Sequence, residues 1–156
     1  MYIARSALPA DVPAIHQLVT HYANMGQLLP RSHEEIADQL HNFEVIDLNG
    51  VVVGCGSLEY FTPELAEIRS LMVDQNHTGQ GLGRQLVERF MAKGKAAGAK
   101  RIMALTYAAE FFCQLGFEVV DKAIFPEKVW GICVNCYKFN HCDEIAVLYS
   151  IGPAQD

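Results

Sequence analysis

Apolar positions along the 156-residue chain recur at two spacings, the strand period of two and the helix period of 3.6. Tyr2–Ala7 is a short run typical of an opening strand. The apolar positions from Ile15 to Tyr22 follow Asp11 at helical spacing, so Asp11 is the expected N-cap of a first helix. Ser32, with Glu35 three residues later, forms a capping box and predicts a second helix.

The Asn49-Gly50 pair is the strongest turn signal in the chain. It lies between the strand-like runs Phe43–Asp47 and Val51–Tyr60 and therefore predicts a β-hairpin. The pattern also predicts a strand at 66–73, a helix from Leu82 that Gly94 and Gly98 end, a strand at 101–106, a short helix at 109–115, and strands at 117–123 and 144–150. The order β-α-α-β-β-β-α-β-α-β-β indicates a mixed α/β sheet. Because no repeat or long linker interrupts it, we expect one domain over residues 1–156.

Composition excludes several classes of protein. An apolar fraction of 51% and a charged fraction of 19% are ordinary for a globular chain and exclude a disordered one. The net charge is −6, and no basic run is present, which argues against a nucleic-acid partner and a polybasic membrane anchor. No apolar run has the length of a membrane span, and the first residues lack the plan of a signal peptide. The five cysteines are an odd number, so reduced thiols in the cytoplasm are expected.

Three glycines in five positions, Gly79, Gly81 and Gly83, lie between a predicted strand and a predicted helix. At a helix N-terminus, unpaired backbone N–H groups and the positive end of the helix dipole bind anions. Thr78 and Gln80 offer further donors. The spacing is neither that of a P-loop nor that of a dinucleotide fingerprint. We expect the loop to hold a pyrophosphate, with a purely structural turn as the alternative.

Three runs carry a family resemblance: Arg69–Asp74, Thr78–Gly83 and Phe111–Phe117. Together with the order of elements, they resemble the GCN5-related N-acetyltransferases over nearly the whole chain. The resemblance implies a mixed, mostly antiparallel splayed sheet with flanking helices, and acetyl-CoA as the cosubstrate.

The resemblance also implies how acetyl-CoA is bound. Main-chain groups of Leu71, Met72 and Val73 would pair with the pantetheine arm. The pyrophosphate would lie on the glycine loop, formed by Gly79, Gln80, Gly81, Leu82, Gly83 and Arg84. Thr78 stands where the family usually carries Arg or Gln. This departure removes a side-chain donor but no backbone N–H, so it implies weaker binding of acetyl-CoA.

A second departure concerns the proton that the departing CoA thiolate receives. The family often has a tyrosine where this chain has Phe112, which cannot donate a proton. Tyr107 and Cys113 are close in sequence, and simple packing is the alternative for both. A thiol of this kind ionises near the pKa of cysteine, about 8.5, so solvent is an adequate proton source.

Glu67 is the candidate base for the amine that attacks the thioester. An ammonium group has no lone pair, so the acceptor must lose a proton before it reacts. Glu67 and Arg69 are two residues apart on a strand and are expected to share a sheet face. Glu67 could take the proton directly or through a water. A Glu67–Arg69 surface ion pair is the alternative, and Glu59 is the reserve base.

The C-terminal third carries a narrower resemblance. Phe125–Trp130, Cys133–Cys136 and Lys138–Glu144 are similar to single-domain, N-acetylglutamate synthase-like amino-acid N-acetyltransferases of arginine biosynthesis, as are Leu29–Ser32 and Ala66–Leu71. This resemblance implies an amino-acid substrate, glutamate or glutamine first.

An acceptor with two carboxylates needs cations in an otherwise acidic protein. Arg31, Arg69 and Lys128 fall in segments that line the acceptor side in this family. Arginine is suited to binding a carboxylate through two hydrogen bonds. We therefore expect these three residues to bind the substrate, with a solvated surface role as the alternative for each.

Two other classes of function stay open. A zinc site is suggested by the spacing of Cys133, Cys136 and Cys142, with His141. Because only three thiols are supplied, we expect no bound metal.

Two alternatives to amino-acid acetylation remain. The missing tyrosine and the cysteines together favour a non-catalytic acyl-CoA- or metal-binding module, and acetyl transfer to another small amine is a further alternative. Final strands in this fold often pair between subunits, so a homodimer is an option.

Overall fold

The computed structural model describes residues 1–121 and 144–152 of the chain. The strands in these ranges are β1 (Tyr2–Ser6), β2 (Phe43–Leu48), β3 (Val51–Thr62), β4 (Leu65–Val73), β5 (Arg101–Thr106), β6 (Glu118–Val120) and β7 (Ile145–Ser150). The helices are α1 (Val12–Asn24), α2 (His33–Asp38), α3 (Leu82–Ala96) and α4 (Ala109–Cys113). Short 3₁₀ turns cover Pro9–Asp11, Leu40–Asn42 and Gln75–His77.

The chain divides into two compact units. The first unit contains Met1–Glu59 and Ile68–Lys93, and the second contains Tyr60–Glu67 and Gly94–Asp156. The division falls within β3, within β4 and within α3. A single domain over residues 1–156 stays a prediction.

The strands of the first unit lie in the order β1-β2-β3-β4. β2 is antiparallel to both β1 and β3. The core of this unit forms where α1 and α2 bury their apolar faces with the strands; it contains Val12, Ile15, Val19, Ile36, Phe43, Val45, Cys55 and Met72. These positions include the apolar face that the helical spacing predicts for the first helix.

The hairpin between β2 and β3 has the predicted two-residue turn. Leu48 pairs with Val51, so Asn49 and Gly50 form the loop. Their φ angles are 52° and 91°, both in the left-handed region that a type I′ turn requires. The Asp47 carboxylate also accepts a hydrogen bond from the Gly50 amide. The turn prediction is confirmed, and β3 extends two residues beyond the predicted end.

The second helix begins at the predicted capping box. The Ser32 hydroxyl accepts a hydrogen bond from the Glu35 amide, and the Glu35 carboxylate accepts one from the Ser32 amide. The helix ends at Asp38, so Leu40 begins a 3₁₀ turn instead of continuing the helix. Asp11 is the N-cap residue of α1, as the sequence predicts, but its carboxylate makes no capping hydrogen bond to that helix. Its carboxylate is bound by the Arg5 guanidinium and the Leu8 amide instead.

The second unit contains strands in the order β4-β5-β7-β6. β4 and β5 are parallel, and their pairing covers the three positions from Leu65 to Glu67. β7 is antiparallel to β5 and β6. Leu65, Met103 and Ala146 form the core of this unit. Because β4 and β5 are parallel and four other strand pairs, β1-β2, β2-β3, β5-β7 and β6-β7, are antiparallel, the predicted mixed, mostly antiparallel sheet with flanking helices is confirmed.

Two boundaries differ from the sequence prediction. Gly94 lies inside α3 and does not end it. A Cβ at this position would lie 2.8 Å from Ile102 Cδ1, so the close contact with Ile102 requires glycine. Glycine therefore allows the helix to approach β5, and the chain leaves the helix near Gly98, where φ is 92°. β6 has three residues instead of the seven predicted, and residues from 122 onward in that prediction lie outside the described ranges. No helix in the described residues is long and apolar enough to cross a membrane.

Glu44 on β2 holds α3 against the first unit's sheet. Its fully buried carboxylate accepts hydrogen bonds from Arg89 at 2.6 and 2.8 Å, from Lys93 at 2.8 Å and from Ser6 at 3.1 Å. Burial raises the pKa of Glu44, but the hydrogen bonds from Lys93 and Arg89 outweigh burial and leave the pKa below its ordinary value. The carboxylate therefore stays charged and ties two turns of α3 to β2.

Acid should weaken this contact. A carboxyl whose pKa is lowered by folding stabilises the protein above its unfolded pKa, and this contribution is lost as pH falls through the folded pKa. We expect the free energy of unfolding to fall below about pH 4.5. Glu44→Gln should lower this free energy by about 1–3 kcal/mol at neutral pH and flatten the acid decline. Urea denaturation across this pH range measures both effects.

Glu88→Gln is the control for Glu44→Gln. Glu88 is exposed on α3 and pairs with Arg84 one turn away. Such a surface pair contributes about 0.3–0.5 kcal/mol, so its loss should leave the acid profile intact. If Glu88→Gln and Glu44→Gln lower the free energy of unfolding and flatten the acid decline equally, Glu44 does not hold α3 in the way described.

Candidate active site

The end of β4 departs from regular strand geometry at Ser70. Its φ is 54°, a value in the left-handed region that non-glycine residues seldom adopt. The Ser70 carbonyl accepts a hydrogen bond from the Cys55 thiol at 3.5 Å. Complete burial raises the pKa of Cys55 to about 12, so this thiol stays protonated and is not a nucleophile.

Tyr22 of α1 fixes the last residue of β4. Its hydroxyl donates a 2.9 Å hydrogen bond to the Val73 carbonyl, and the next amide, that of Asp74, donates to the Val53 carbonyl. Burial, followed by the charge of Asp74, raises the pKa of Tyr22, which keeps the hydroxyl protonated as a donor. The Met72 side chain is buried in the core, so only its main chain is able to face a ligand.

The glycine loop is supported on its N-terminal side by side chains. The Asp74 carboxylate accepts a hydrogen bond from the Asn76 amide, and Tyr2 Oη lies 2.9 Å from His77 Nδ1. The Thr78 hydroxyl donates to the Gln75 carbonyl, so this side chain serves the loop itself and is not directed at an anion. Gly79 and Gly81 have φ angles of 80° and 76°, which glycine adopts without steric cost.

The first backbone amides of α3 follow directly. The earliest helical hydrogen bond runs from the Gln85 amide to the Gly81 carbonyl, so the amides of Leu82, Gly83 and Arg84 precede it. The Leu82 side chain is buried, and the Arg84 side chain pairs with Glu88 at 3.0 Å. Leu82 and Gly83 therefore have only main-chain groups to offer an anion, whereas Arg84 also has an exposed side chain.

Five residues of the first unit form a second polar group, which we name the arginine cluster: Arg31, Ser57, Glu59, Arg69 and Ser70. The Glu59 carboxylate accepts hydrogen bonds from Arg31 at 2.5 and 3.2 Å, from Arg69 at 3.0 Å and from the Ser57 hydroxyl at 2.6 Å. The Arg31 guanidinium also lies 3.5 Å from Ser70 Oγ. The structure thus brings two of the predicted substrate cations together on one carboxylate.

Arg31 is deeply buried for a charged residue, with 6% of its surface exposed. Its guanidinium lies over the Phe43 ring at 5.6 Å from the centroid, a cation–π contact that helps to fix it. Among the described residues, none accepts a hydrogen bond from its Nε atom. A buried donor without an acceptor costs about 1–3 kcal/mol, which favours an additional acceptor at this position.

Glu59 is unsuited to the reserve role of base. Burial raises its pKa, but the hydrogen bond from Arg31 and the charges of Arg69 and Arg31 outweigh burial and hold the pKa below its ordinary value. An ionised carboxylate has about four lone-pair sites, and the four hydrogen bonds from Arg31, Arg69 and Ser57 fill them. Accepting a proton would break one of these bonds.

Glu67 lies in the second unit, on the part of β4 that pairs with β5. It is 2% exposed and opposite Met103, at the last position of that pairing. Its predicted ion-pair alternative, Arg69, donates instead to Glu59 in the contact described above. A surface pair is therefore a poor description of Glu67, because its side chain is not on the surface.

The positions considered for a proton donor lie near α4. Phe112 is buried and makes edge-to-face contacts with Phe111 and Phe117. Tyr107 is 45% exposed, and Cys113 is exposed. Lys128 and the cysteines at 133, 136 and 142 lie outside the described residues.

Comparison with known proteins decides the family. The model of the acetyltransferase (GNAT) family matches residues 13–117. The chain belongs to this family. The uncharacterized N-acetyltransferase CT2212 of Chlorobaculum tepidum is 39% identical over 94% of this chain and 95% of its own. An amino-acid acetyltransferase of Mycobacterium tuberculosis is 33% identical over 98% of this chain and 82% of its own length.

A solved structure agrees with this assignment. Rv2747 from Mycobacterium tuberculosis, in complex with CoA and NLQ, has a TM-score of 0.83 and 30% identity and is matched over 96% of this chain and 99% of its own. The resemblance to N-acetylglutamate synthase-like members of the GNAT family is confirmed.

Sequence reasoning missed the contacts of three residues that organise these groups, although it had named Glu59 as the reserve base and Tyr22 on the apolar face of the first helix. Ser57 and Glu59 are two positions apart on β3, so their side chains share a face, and this alternation was available as a signal. The Tyr22 contact with Val73 joins residues 51 apart, and no local pattern indicates it.

Proposed function

We propose that this GNAT enzyme transfers an acetyl group from acetyl-CoA to the α-amino group of L-glutamate, with L-glutamine as the alternative acceptor. The observation that carries the proposal is the arginine cluster, in which Arg31 and Arg69 meet on Glu59. The amino-acid acetyltransferase relative supports the same acceptor class. The proposal includes a place in arginine biosynthesis and a cytoplasmic location, as the sequence resemblance implies.

Acetyl-CoA is the cosubstrate of this family member, and its proposed position follows β4 into the glycine loop. Main-chain groups of Leu71–Val73 would pair with the pantetheine arm, and the segment from Gly79 to Arg84 would bind the pyrophosphate. The left-handed φ angles of Gly79 and Gly81 support this assignment, as do the amides at the start of α3.

The acceptor's carboxylates would be bound by Arg31 and Arg69, with Lys128 as a third cation from outside the described residues. A carboxylate loses part of its hydration shell on entering a protein, and only charged donors compensate for that loss. A guanidinium has five N–H donors, and the contacts of Arg31 with Glu59 and Ser70 use its two Nη atoms. Its Nε therefore supports binding of a further carboxylate.

The reaction requires one proton transfer before the amine attacks. Glu67, or a water bound to it, would accept that proton from the ammonium group. The amine nitrogen then bonds to the thioester carbon as the carbon–sulfur bond breaks, and the CoA thiolate leaves with the electron pair. The nitrogen gives up its second proton to water as the amide forms. The missing tyrosine at Phe112 leaves solvent to protonate the thiolate, whose low pKa makes it an adequate leaving group.

The alternative class is a non-catalytic acyl-CoA-binding module. Release of free thiol during incubation with acetyl-CoA and each common amino acid separates the two classes. Glutamate or glutamine should give the highest kcat/KM. Absence of turnover with every amino acid, or a preference for polyamines or protein lysines, would contradict the proposed acceptor.

Substitution of an arginine in the arginine cluster should raise the KM for the acceptor and leave the KM for acetyl-CoA unchanged. Because a hydrogen bond to a charged group contributes about 1.5–3 kcal/mol, Arg69→Gln and Arg31→Lys should each raise the KM for glutamate by about 10- to 100-fold. Lysine keeps the charge of Arg31 but not its fork of donors. Lys95→Gln, an exposed change of one charge on α3, is the control and should leave KM unchanged.

Comparison of the KM values for glutamate and glutamine in the two variants shows which arginine binds the acceptor's side chain. The arginine that faces the γ-carboxylate should matter more for glutamate, whereas the one that faces the α-carboxylate should matter equally for both. If neither substitution changes either KM by more than about twofold, the cluster does not bind the acceptor.

Substitution of Gly81 tests the position of acetyl-CoA. Gly81→Val should weaken CoA binding by at least about tenfold, because a branched side chain would occupy the space beside the pyrophosphate and strain the loop. Calorimetric titration with CoA gives the affinity, and thermal unfolding confirms the fold.

Gly26→Val is a matched control. Gly26 and Gly81 share a φ of 76°, and a Cβ at either position meets nothing within 4 Å. The two substitutions should therefore cost similar stability, and only Gly81→Val should lose CoA affinity. Equal CoA affinity in the two folded variants would remove the glycine loop from the binding site.

Replacement of Glu67 tests the proposed base. Glu67→Gln should lower kcat by about 10²- to 10⁴-fold and change the rise of the rate with pH, with little effect on CoA affinity. Glu64→Gln, an exposed change in the turn before β4, is the control. A Glu67→Gln enzyme with the parent pH–rate profile would leave Glu67 as a structural residue.

A further inference from the structure

We propose that Glu59 is a positioning residue that sets the geometry in which Arg31 and Arg69 meet the acceptor's carboxylate. This inference rests on the proposed function, because it assumes that the two arginines bind the acceptor. It adds a residue that contacts neither acetyl-CoA nor the acceptor and yet determines acceptor affinity.

The geometry makes Glu59 the common partner of two distant segments. Arg31 lies 28 residues before it and Arg69 lies 10 residues after it. Both arginines donate to the same oxygen, Oε1, from Arg31 Nη2 at 3.2 Å and from Arg69 Nη1 at 3.0 Å. The distance between the two guanidinium groups is therefore set by one carboxylate atom.

Two guanidinium groups this close would repel each other without an anion between them. At separations of a few ångströms in a partly buried site, charge repulsion is strong enough to change side-chain rotamers. Removal of Glu59 should therefore let the arginines move apart and lose the orientation that fits a single carboxylate.

The carboxylate of Glu59 is itself held in place. Ser57 donates to Oε2 at 2.6 Å, and its single hydroxyl proton serves that short contact better than the 3.3 Å contact with the Arg69 carbonyl. Phe43 supports Arg31 from one side. A carboxylate with four hydrogen bonds and a packed partner has few alternative rotamers, which is the property that a positioning residue needs.

Two substitutions of Glu59 distinguish a positioning role from the alternative, in which Glu59 only neutralises the charge of the arginines. Glu59→Gln keeps the length and one carbonyl oxygen but removes the charge. Glu59→Asp keeps the charge but is one methylene shorter, so it cannot reach both arginines in the same way. Positioning predicts that both raise the KM for glutamate by at least about tenfold, with the KM for acetyl-CoA within about twofold.

Charge compensation predicts a different pattern. Loss of a negative charge would strengthen binding of an anionic acceptor, so Glu59→Gln would lower the KM for glutamate and Glu59→Asp would leave it unchanged. That pattern would overturn the proposal. Ser57→Ala, which removes one bond to Glu59 and neither arginine, should raise the KM in the same direction by a smaller factor.

Glu44→Gln is the matched control. Glu44 is likewise a buried strand glutamate bound by two cations, Arg89 and Lys93. Its substitution should reduce stability and leave both KM values within about twofold. An equal rise in the KM for glutamate in Glu44→Gln would show that the effect is general loss of structure and would overturn the proposal.

Acetylation assays of the unsubstituted parent enzyme distinguish a failure of this inference from a failure of the proposed function. If the parent acetylates no carboxylate-bearing amine, the proposed function fails, and the inference fails with it. If the parent acetylates glutamate and folded Glu59→Asp keeps the parent KM, only the role of Glu59 is overturned. Circular dichroism and thermal unfolding establish that each variant is folded before its KM is compared.

Discussion

The carboxylate of Glu59 is the contact on which the candidate acceptor site depends. It joins Arg31, which precedes α2, to Arg69 on β4, and both arginines donate to the same oxygen atom, Oε1. Burial of three charged groups is costly unless each is paired and hydrogen-bonded. The four hydrogen bonds to Glu59 supply that pairing and keep the carboxylate ionised. The first unit therefore presents a fixed pair of guanidinium groups rather than two independent surface cations.

A second buried glutamate shows the same chemistry in a structural role. Glu44 also receives two cations, but both come from one face of α3, so the contact fixes a helix to a strand. Glu59 receives its cations from two separate segments. This difference distinguishes a contact that anchors an element from one that assembles a site.

Local signals account for the parts of the structure that were predicted correctly. The Asn49-Gly50 turn and the Ser32–Glu35 capping box each depend on residues at most three apart, and both formed as expected. The glycine loop was placed correctly between β4 and α3 for the same reason. Contacts between different elements account for the differences. The Asp11 carboxylate binds Arg5 and makes no capping hydrogen bond to α1, and Gly94 is helical where it packs against Ile102.

The bridge through Glu59 also joins different elements, over 28 and 10 residues, so the sequence indicated the cations and a reserve base but not that this carboxylate lies between them. A crystal structure with CoA and N-acetyl-L-glutamate tests the central claim directly. We predict that a product carboxylate lies within about 3 Å of a guanidinium nitrogen of Arg31 or Arg69, with Glu59 still bonded to both arginines. A product bound beyond hydrogen-bonding distance of both arginines would contradict the account.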